Sequence, residues 1–339
     1  MKSFTGSVDS LLPTLLSAFG PPGRESGIRD ALRRGLRGLG RVTEDATGNL
    51  HLHRPGKGPR LLLAAPMDAA GVIVTRVDSS GLARVAVLGN RSPAELVGAT
   101  FRFEDDGLAL LGCERPKGAK NGAEVEADHL FLETGLGPKE AGRRFRVGSV
   151  GAIEDRPIRL GVLWCAANLD NRAGCAAVVA ALRATGPPRY DLHVVFSAQS
   201  DLGARGAVTG AFDVDPEQAV VVDVAHLDPK ETGGAAVGKG PCLGLKESGF
   251  LANPETLALV KRAATAARVP TQWLIRESEG SDARAVRAAR AGVPTALIAI
   301  PARRSGGPVS FVHARDIGQT AALVARLLTT TPKSKGGRR

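Results

Sequence analysis

The sequence predicts an α/β protein: a largely parallel, twisted sheet covered by helices, with a small β-barrel domain inserted into it. Three observations predict this. Residues 61–65 are continuously apolar, as a strand buried on both faces must be. From about residue 159 onward, strand-length apolar runs alternate with segments of helical period, the rhythm of βα units. Between the two, residues 72–154 sustain no helical period; short alternating segments are broken by Gly, Asp and Pro turns, the pattern of a barrel. The predicted domains are residues 1–71 with 158–330, residues 72–157 for the barrel, and a disordered basic tail at 331–339.

The elements follow in order. Leu11, Leu12, Leu15, Leu16 and Phe19 recur at helical spacing, and Gly20-Pro21-Pro22-Gly23 stops that helix. Ile28, Leu32, Leu36 and Leu39 form the apolar stripe of a second. Strands are predicted near residues 50–53 and 60–65. The barrel segments are near 72–77, 83–88, 100–103 and 129–133. Later strands at 192–197, 219–224 and 295–300 alternate with helices near 171–184, 254–268, 281–291 and 314–328.

Bulk properties narrow the class. With 43% hydrophobic and 23% charged residues over 339 positions, the chain is long enough and apolar enough for a globular core. No apolar run approaches the roughly 20 residues of a membrane span. The first residues lack the apolar core and cleavage site of a signal peptide, so a cytoplasmic protein is expected. Cys113, Cys165, Cys175 and Cys242 form no CxxC pair and read as reduced thiols. The net charge of +11 raises binding of nucleic acid or acidic partners, but the Arg residues are dispersed and no aromatic motif interleaves with them.

In open α/β sheets, chemistry gathers at the carboxyl ends of strands. Asp68, Asp170, Asp201 and Asp223 each close one of the apolar runs. Carboxylates collected on one rim repel unless a cation or protons neutralise them, which is a metal-site signature in outline.

The order of these segments resembles the tetrahedral aminopeptidases, a family of dinuclear-metal exopeptidases that includes glutamyl and deblocking aminopeptidases and proteins once labelled cellulases. The resemblance covers about residues 8 to 330. It rests on the 19–25 stretch FGPPGRE, Gly48-Asn49-Leu50, Leu169–Gly174 (LDNRAG), Gln199 with 202–207, Asp223-Val224-Ala225-His226, Gly238-Lys239-Gly240-Pro241, Gly280-Ser281-Asp282-Ala283 and Gly292-Val293-Pro294-Thr295. The resemblance implies a zinc-exopeptidase-like fold. It also implies two divalent ions bridged by an Asp, each with one His and one further carboxylate, and a Glu that deprotonates the bridging water. Homo-oligomers are implied too, dimers or twelve-subunit cages.

This sequence departs from that pattern at the positions that carry the chemistry. The family's first His ligand is replaced by Pro66, and Asp68 remains at the position that orients it. Ser200 stands where the general-base Glu belongs. Asp170, Asp201 and Asp223 match three carboxylate ligands, and Gly306 stands at the second His position. Gly280, Ser281 and Asp282 are expected to line the substrate cleft. Glu279 reads as a solvated loop carboxylate, and His226 as structural rather than ligating.

The expected protein is therefore a catalytically inactive or strongly impaired pseudo-peptidase, with a peptide-binding or assembly role and no cofactor. The first alternative is an active hydrolase with a rearranged site on Asp170, Asp201 and Asp223, holding zinc, cobalt, manganese or magnesium. The second is a binder of nucleic acid or acidic partners through its basic surface. No membrane partner is expected.

Overall fold

The computed structural model describes residues 2–114, 125–228, 234–277 and 279–331. The basic tail expected at 331–339 lies, beyond its first residue, outside the described residues.

Strand Arg60–Pro66 shows how the core is built. Leu61, Leu63 and Ala65 face one apolar cluster, while Leu62 and Ala64 face another. Strand Gln218–His226 divides in the same way: Val220, Val222 and Val224 go to the first cluster, Ala219, Val221 and Ala225 to the second. Side chains alternate across a strand, so a sheet covered on both faces needs apolar residues at every position. The first cluster is closed by helices Lys2–Leu16, Ser26–Gly35, Leu169–Ala184, Pro254–Ala267 and Ala314–Thr329. The second is closed by Arg205–Val214 and Ala283–Ala288. Leu169–Ala184 is buried around its whole circumference, and its Ala, Gly and Val side chains are small enough to let sheet and neighbouring helices approach closely.

Among the described residues, twelve strands make one sheet. Its centre is parallel: Asp191–Ser197, Arg60–Pro66, Gln218–His226 and Thr295–Arg304 lie side by side. Its flanks are antiparallel. Leu50–Arg54 and Arg41–Glu44 extend one side; Ser310–His313, Leu163–Ala166 and Ile158–Leu160 extend the other. Cys242–Glu247 also pairs antiparallel with Thr295–Arg304 and carries Gln272–Ile275 beside it in parallel. Parallel pairing is thus confined to the strands joined by helical crossovers. The flanking strands are too short and too amphipathic for sequence reasoning to order them.

The inserted domain is a closed barrel of Gly71–Val77, Ala83–Leu88, Leu130–Glu133, Leu108–Cys113, Thr100–Phe103 and Val150–Ile153. Val72, Val74, Phe101, Phe103, Leu111 and Leu132 fill it, and Phe145 packs edge-on against Phe103 at 4.9 Å between ring centroids. Closure pairs each of the six strands with two neighbours. The helix expected at 281–291 is shorter, Ala283–Ala288, because Ala289 leaves helical geometry and Arg290 turns to positive φ. All four cysteines are free. Among the described residues no helix is long and apolar enough to cross a membrane.

Candidate functional site

The central strands run the same way, so the residues that follow them collect at one rim, and a cleft of about 360 Å³ opens there. Pro66, Asp68, Asp170, Ser200, Asp201 and Asp223 all line it. The barrel contributes Gly89, Asn90 and Arg91. Gly89 has φ +118°, and a Cβ there would sit 2.7 Å from the Asp201 carboxylate, so only glycine lets the barrel close over the rim. Helix Leu169–Ala184 opens with a non-helical residue, Asp170 (φ −87°, ψ 111°), at the cleft surface.

Asp68 is buried, and its two oxygens accept the backbone N–H groups of Ser200 (3.0 Å) and Asp201 (3.1 Å). It clamps the short 3-10 turn Ser200–Leu202, which the left-handed Gln199 (φ 52°) introduces. The carboxylate thus serves the backbone of this turn. Burial, and then the neighbouring Asp201 charge, hold its pKa well above the usual carboxylate range.

Ser200 donates its hydroxyl to Asp282 at 2.7 Å, and Ser197 donates to the other Asp282 oxygen at 2.5 Å. Both Asp282 oxygens are therefore engaged. Asp282 is only 1% exposed and lies beneath the cleft wall, whereas Gly280 and Ser281, expected with it, do line the cleft. Burial raises the Asp282 pKa against the opposing effect of the two hydroxyls.

The remaining carboxylates divide in charge. Asp201 is pushed up to about 7 by burial and by Asp170, with Arg91 opposing. Asp223 is raised well above the ordinary range by burial and then by Asp170 and Asp282; one of its oxygens accepts the Val224 N–H at 2.9 Å. Burial also acts to raise Asp170, but His226, Arg91 and Arg304 outweigh it and leave this group below its usual value.

His226, read from the sequence as structural, is buried with its Nε2 3.3 Å from Asp170 Oδ2, and neither ring nitrogen has a well-formed hydrogen bond. Positions 223 and 226 fall on opposite faces of a regular strand, so their spacing carried no hint of a shared neighbour.

Glu279 corrects a sequence expectation. Far from being solvated, it receives Arg276 at 2.6 Å and Arg304 at 2.7 Å in the cleft wall. Arg276 also binds the buried Glu247 at 2.8 and 2.5 Å, and Glu247 accepts the N–H and hydroxyl of Ser281. Arg304 reaches on to Glu95 at 3.4 Å. No local motif marks this network, because its members come from separate strands and loops.

Gly306 is not brought to the site. It sits in an exposed turn after Thr295–Arg304, with φ +79°, outside the cleft lining. A two-ion centre needs nitrogen and oxygen donors converging on each metal. Pro66 offers a ring without a donor, and the oxygens of Asp68 and Asp282 are occupied by protein hydrogen bonds. Among the described residues, the group with three His or acidic ligand atoms all within 4.8 Å of one another is His53, Asp191 and His193, away from the cleft. Asp170, Asp201 and Asp223 remain in the cleft lining as oxygen donors.

The sequence profile of the M42 glutamyl aminopeptidases matches residues 48–323. The chain is similar to the lysyl aminopeptidase of Pyrococcus furiosus, with 29% identity over 336 residues, 94% of this chain and 96% of that protein. Its fold is similar to a TET aminopeptidase from a marine-sediment Thaumarchaeota archaeon, with a TM-score of 0.88 and 25% identity, covering 95% of this chain and 96% of that one. It is also similar to the TET1 peptidase of Pyrococcus horikoshii, which can assemble into a tetrahedron or a large octahedral shell; there the TM-score is 0.86 at 20% identity, over 95% and 99% of the two chains.

Proposed function

This chain belongs to the M42 glutamyl aminopeptidase family, and from that premise we propose that it is a pseudo-peptidase: its cleft binds the end of a peptide and does not hydrolyse it. One observation carries the reading. Ser200 stands where the resemblance places the proton-accepting Glu, and its hydroxyl is committed to the buried Asp282. A serine so held has no titratable group for water, and loss of a general base alone removes about 10² to 10⁴ in rate. The absence of donors at Pro66 and the exposed position of Gly306 support the same conclusion.

The cleft keeps what a peptide end needs. Asp170 offers a carboxylate to a free amine, and Arg91 supplies positive charge in the same lining. The residual ligands Asp170, Asp201 and Asp223 then serve as polar contacts. Assembly as a dimer or a tetrahedral cage belongs to the same proposal, and light scattering of the purified chain tests it.

The test is a panel of aminoacyl chromogenic substrates, with Glu, Lys and Leu included, in the presence of zinc, cobalt or manganese, together with metal analysis. The expected result is hydrolysis indistinguishable from the no-enzyme rate. Stoichiometric binding of two ions with rapid turnover sinks the proposal.

A second reading has its own support. The 3.3 Å approach of His226 Nε2 to Asp170 Oδ2 sets one nitrogen beside a cleft carboxylate and favours a single divalent ion there. Titration of the wild-type chain and of a His226→Gln variant with manganese or zinc separates the two readings: cleft binding that depends on His226 supports the second.

A further inference from the structure

Strand Asp191–Ser197 has polar residues at both ends. Its carboxyl end leads into the cleft. At its amino end, Asp191 and His193 are two residues apart and so point to one face. Directly across the antiparallel pairing, His53 of Leu50–Arg54 is the register partner of His193. The two imidazoles stack, with centroids 4.3 Å apart and planes 20° from parallel. Both present Nε2 to one carboxylate: His53 at 2.8 Å from Asp191 Oδ1, His193 at 3.4 Å from Oδ2.

We propose that His53, Asp191 and His193 form a surface site for a borderline-soft divalent cation such as Zn²⁺, separate from the cleft. Donor chemistry and spacing carry the inference. Two imidazoles and one carboxylate are a zinc ligand set, and ligands about 2.0–2.2 Å from a tetrahedral ion lie roughly 3.2–3.6 Å from one another. The three donor atoms already lie within 4.8 Å of one another. The side chains are 36%, 30% and 23% exposed for His53, Asp191 and His193, so the rings can turn about χ2 and water can complete the coordination. An ion there ties the antiparallel flank of the sheet to its parallel centre, since one ligand is on Leu50–Arg54 and the other two on Asp191–Ser197. Arg60 opposes it: its Nε lies 4.0 Å from Asp191 Oδ2. Backbone carbonyls of Val214 and Asp215 hold that guanidinium from the other side.

Calorimetric titration of the full chain with Zn²⁺ tests the site. Four proteins are compared: the wild type, His53→Gln, His193→Gln, and the double variant Asp170→Asn/Asp223→Asn, which disables the cleft. The expected result is one equivalent bound by wild type, about tenfold or greater weakening in each histidine variant, and unchanged binding in the cleft variant. A rise in Tm with zinc should follow the same pattern, and circular dichroism confirms that each variant is folded. Asp191→Asn, which preserves shape, should weaken binding in parallel. No uptake at about 100 μM zinc, or uptake that survives both histidine changes and fails in the cleft variant, overturns the proposal.

Discussion

The two ends of strand Asp191–Ser197 differ in what neutralises their carboxylates. At the cleft end, Asp68, Asp201, Asp223 and Asp282 are held by backbone N–H groups, hydroxyls and raised pKa values, and the imidazoles that the resemblance implies are missing. At the other end a single carboxylate lies between two imidazoles in partial contact with solvent. Burial accounts for the contrast. An ionised carboxylate out of water must find a cation, a proton or several hydrogen bonds, whereas an exposed one is stabilised by solvent. In the cleft, Asp68 and Asp282 engage both oxygens in internal hydrogen bonds and Asp223 engages one.

The largest test of that contrast lies in the cleft wall. Arg276→Ala should destabilise the protein by about 3–5 kcal/mol, because it leaves the fully buried Glu247 and the neighbouring Glu279 without their shared cation. Chemical denaturation measures it; a loss below about 1 kcal/mol would mean that water reaches Glu247.

Ser200→Ala comes next. It removes one of two hydroxyl donors to buried Asp282 and should cost about 1–3 kcal/mol. Peptidase activity should remain at background. If a measurable basal activity falls with this substitution, Ser200 takes part in chemistry.

The third test is a pH dependence. Asp201 titrates near 7 in the folded chain, against 3.8 for its unperturbed group. Between those values the folded state keeps a proton that the unfolded state has released, so this group lowers stability progressively as pH rises from about 4 to 7. Asp201→Asn should remove that loss. Its Tm should exceed that of the wild type at pH 8 and match it near pH 4. A metal-free wild type that gains stability between pH 4 and 7 relative to the variant contradicts the assignment.

The smallest effect belongs to the opposite end. Without metal, His53→Gln should change stability by less than about 1 kcal/mol, since its contact with Asp191 is partly exposed. A cost comparable with that of Arg276→Ala would erase the distinction between the two ends.

Much of this architecture was legible beforehand. Continuous apolar runs such as residues 61–65 marked the doubly covered strands. The gathering of Asp68, Asp170, Asp201 and Asp223 at one rim followed from βα alternation, and the structure brings all four to the cleft. That Pro66 and Ser200 lack a titratable side chain was visible as residue type; the exposure of Gly306, the backbone contacts of Asp68 and the position of Asp282 beneath the wall were not.

The sequence by itself determined the layers, because periodicity is local and each strand or helix declares which faces it buries. Only the tertiary structure decided which polar groups meet. His226 reaches Asp170, Glu279 joins Arg276 and Arg304, and His53 finds His193 through strand register and loop closure. Those contacts join residues distant in the chain, and no single segment encodes the distance between two side chains that approach from different elements.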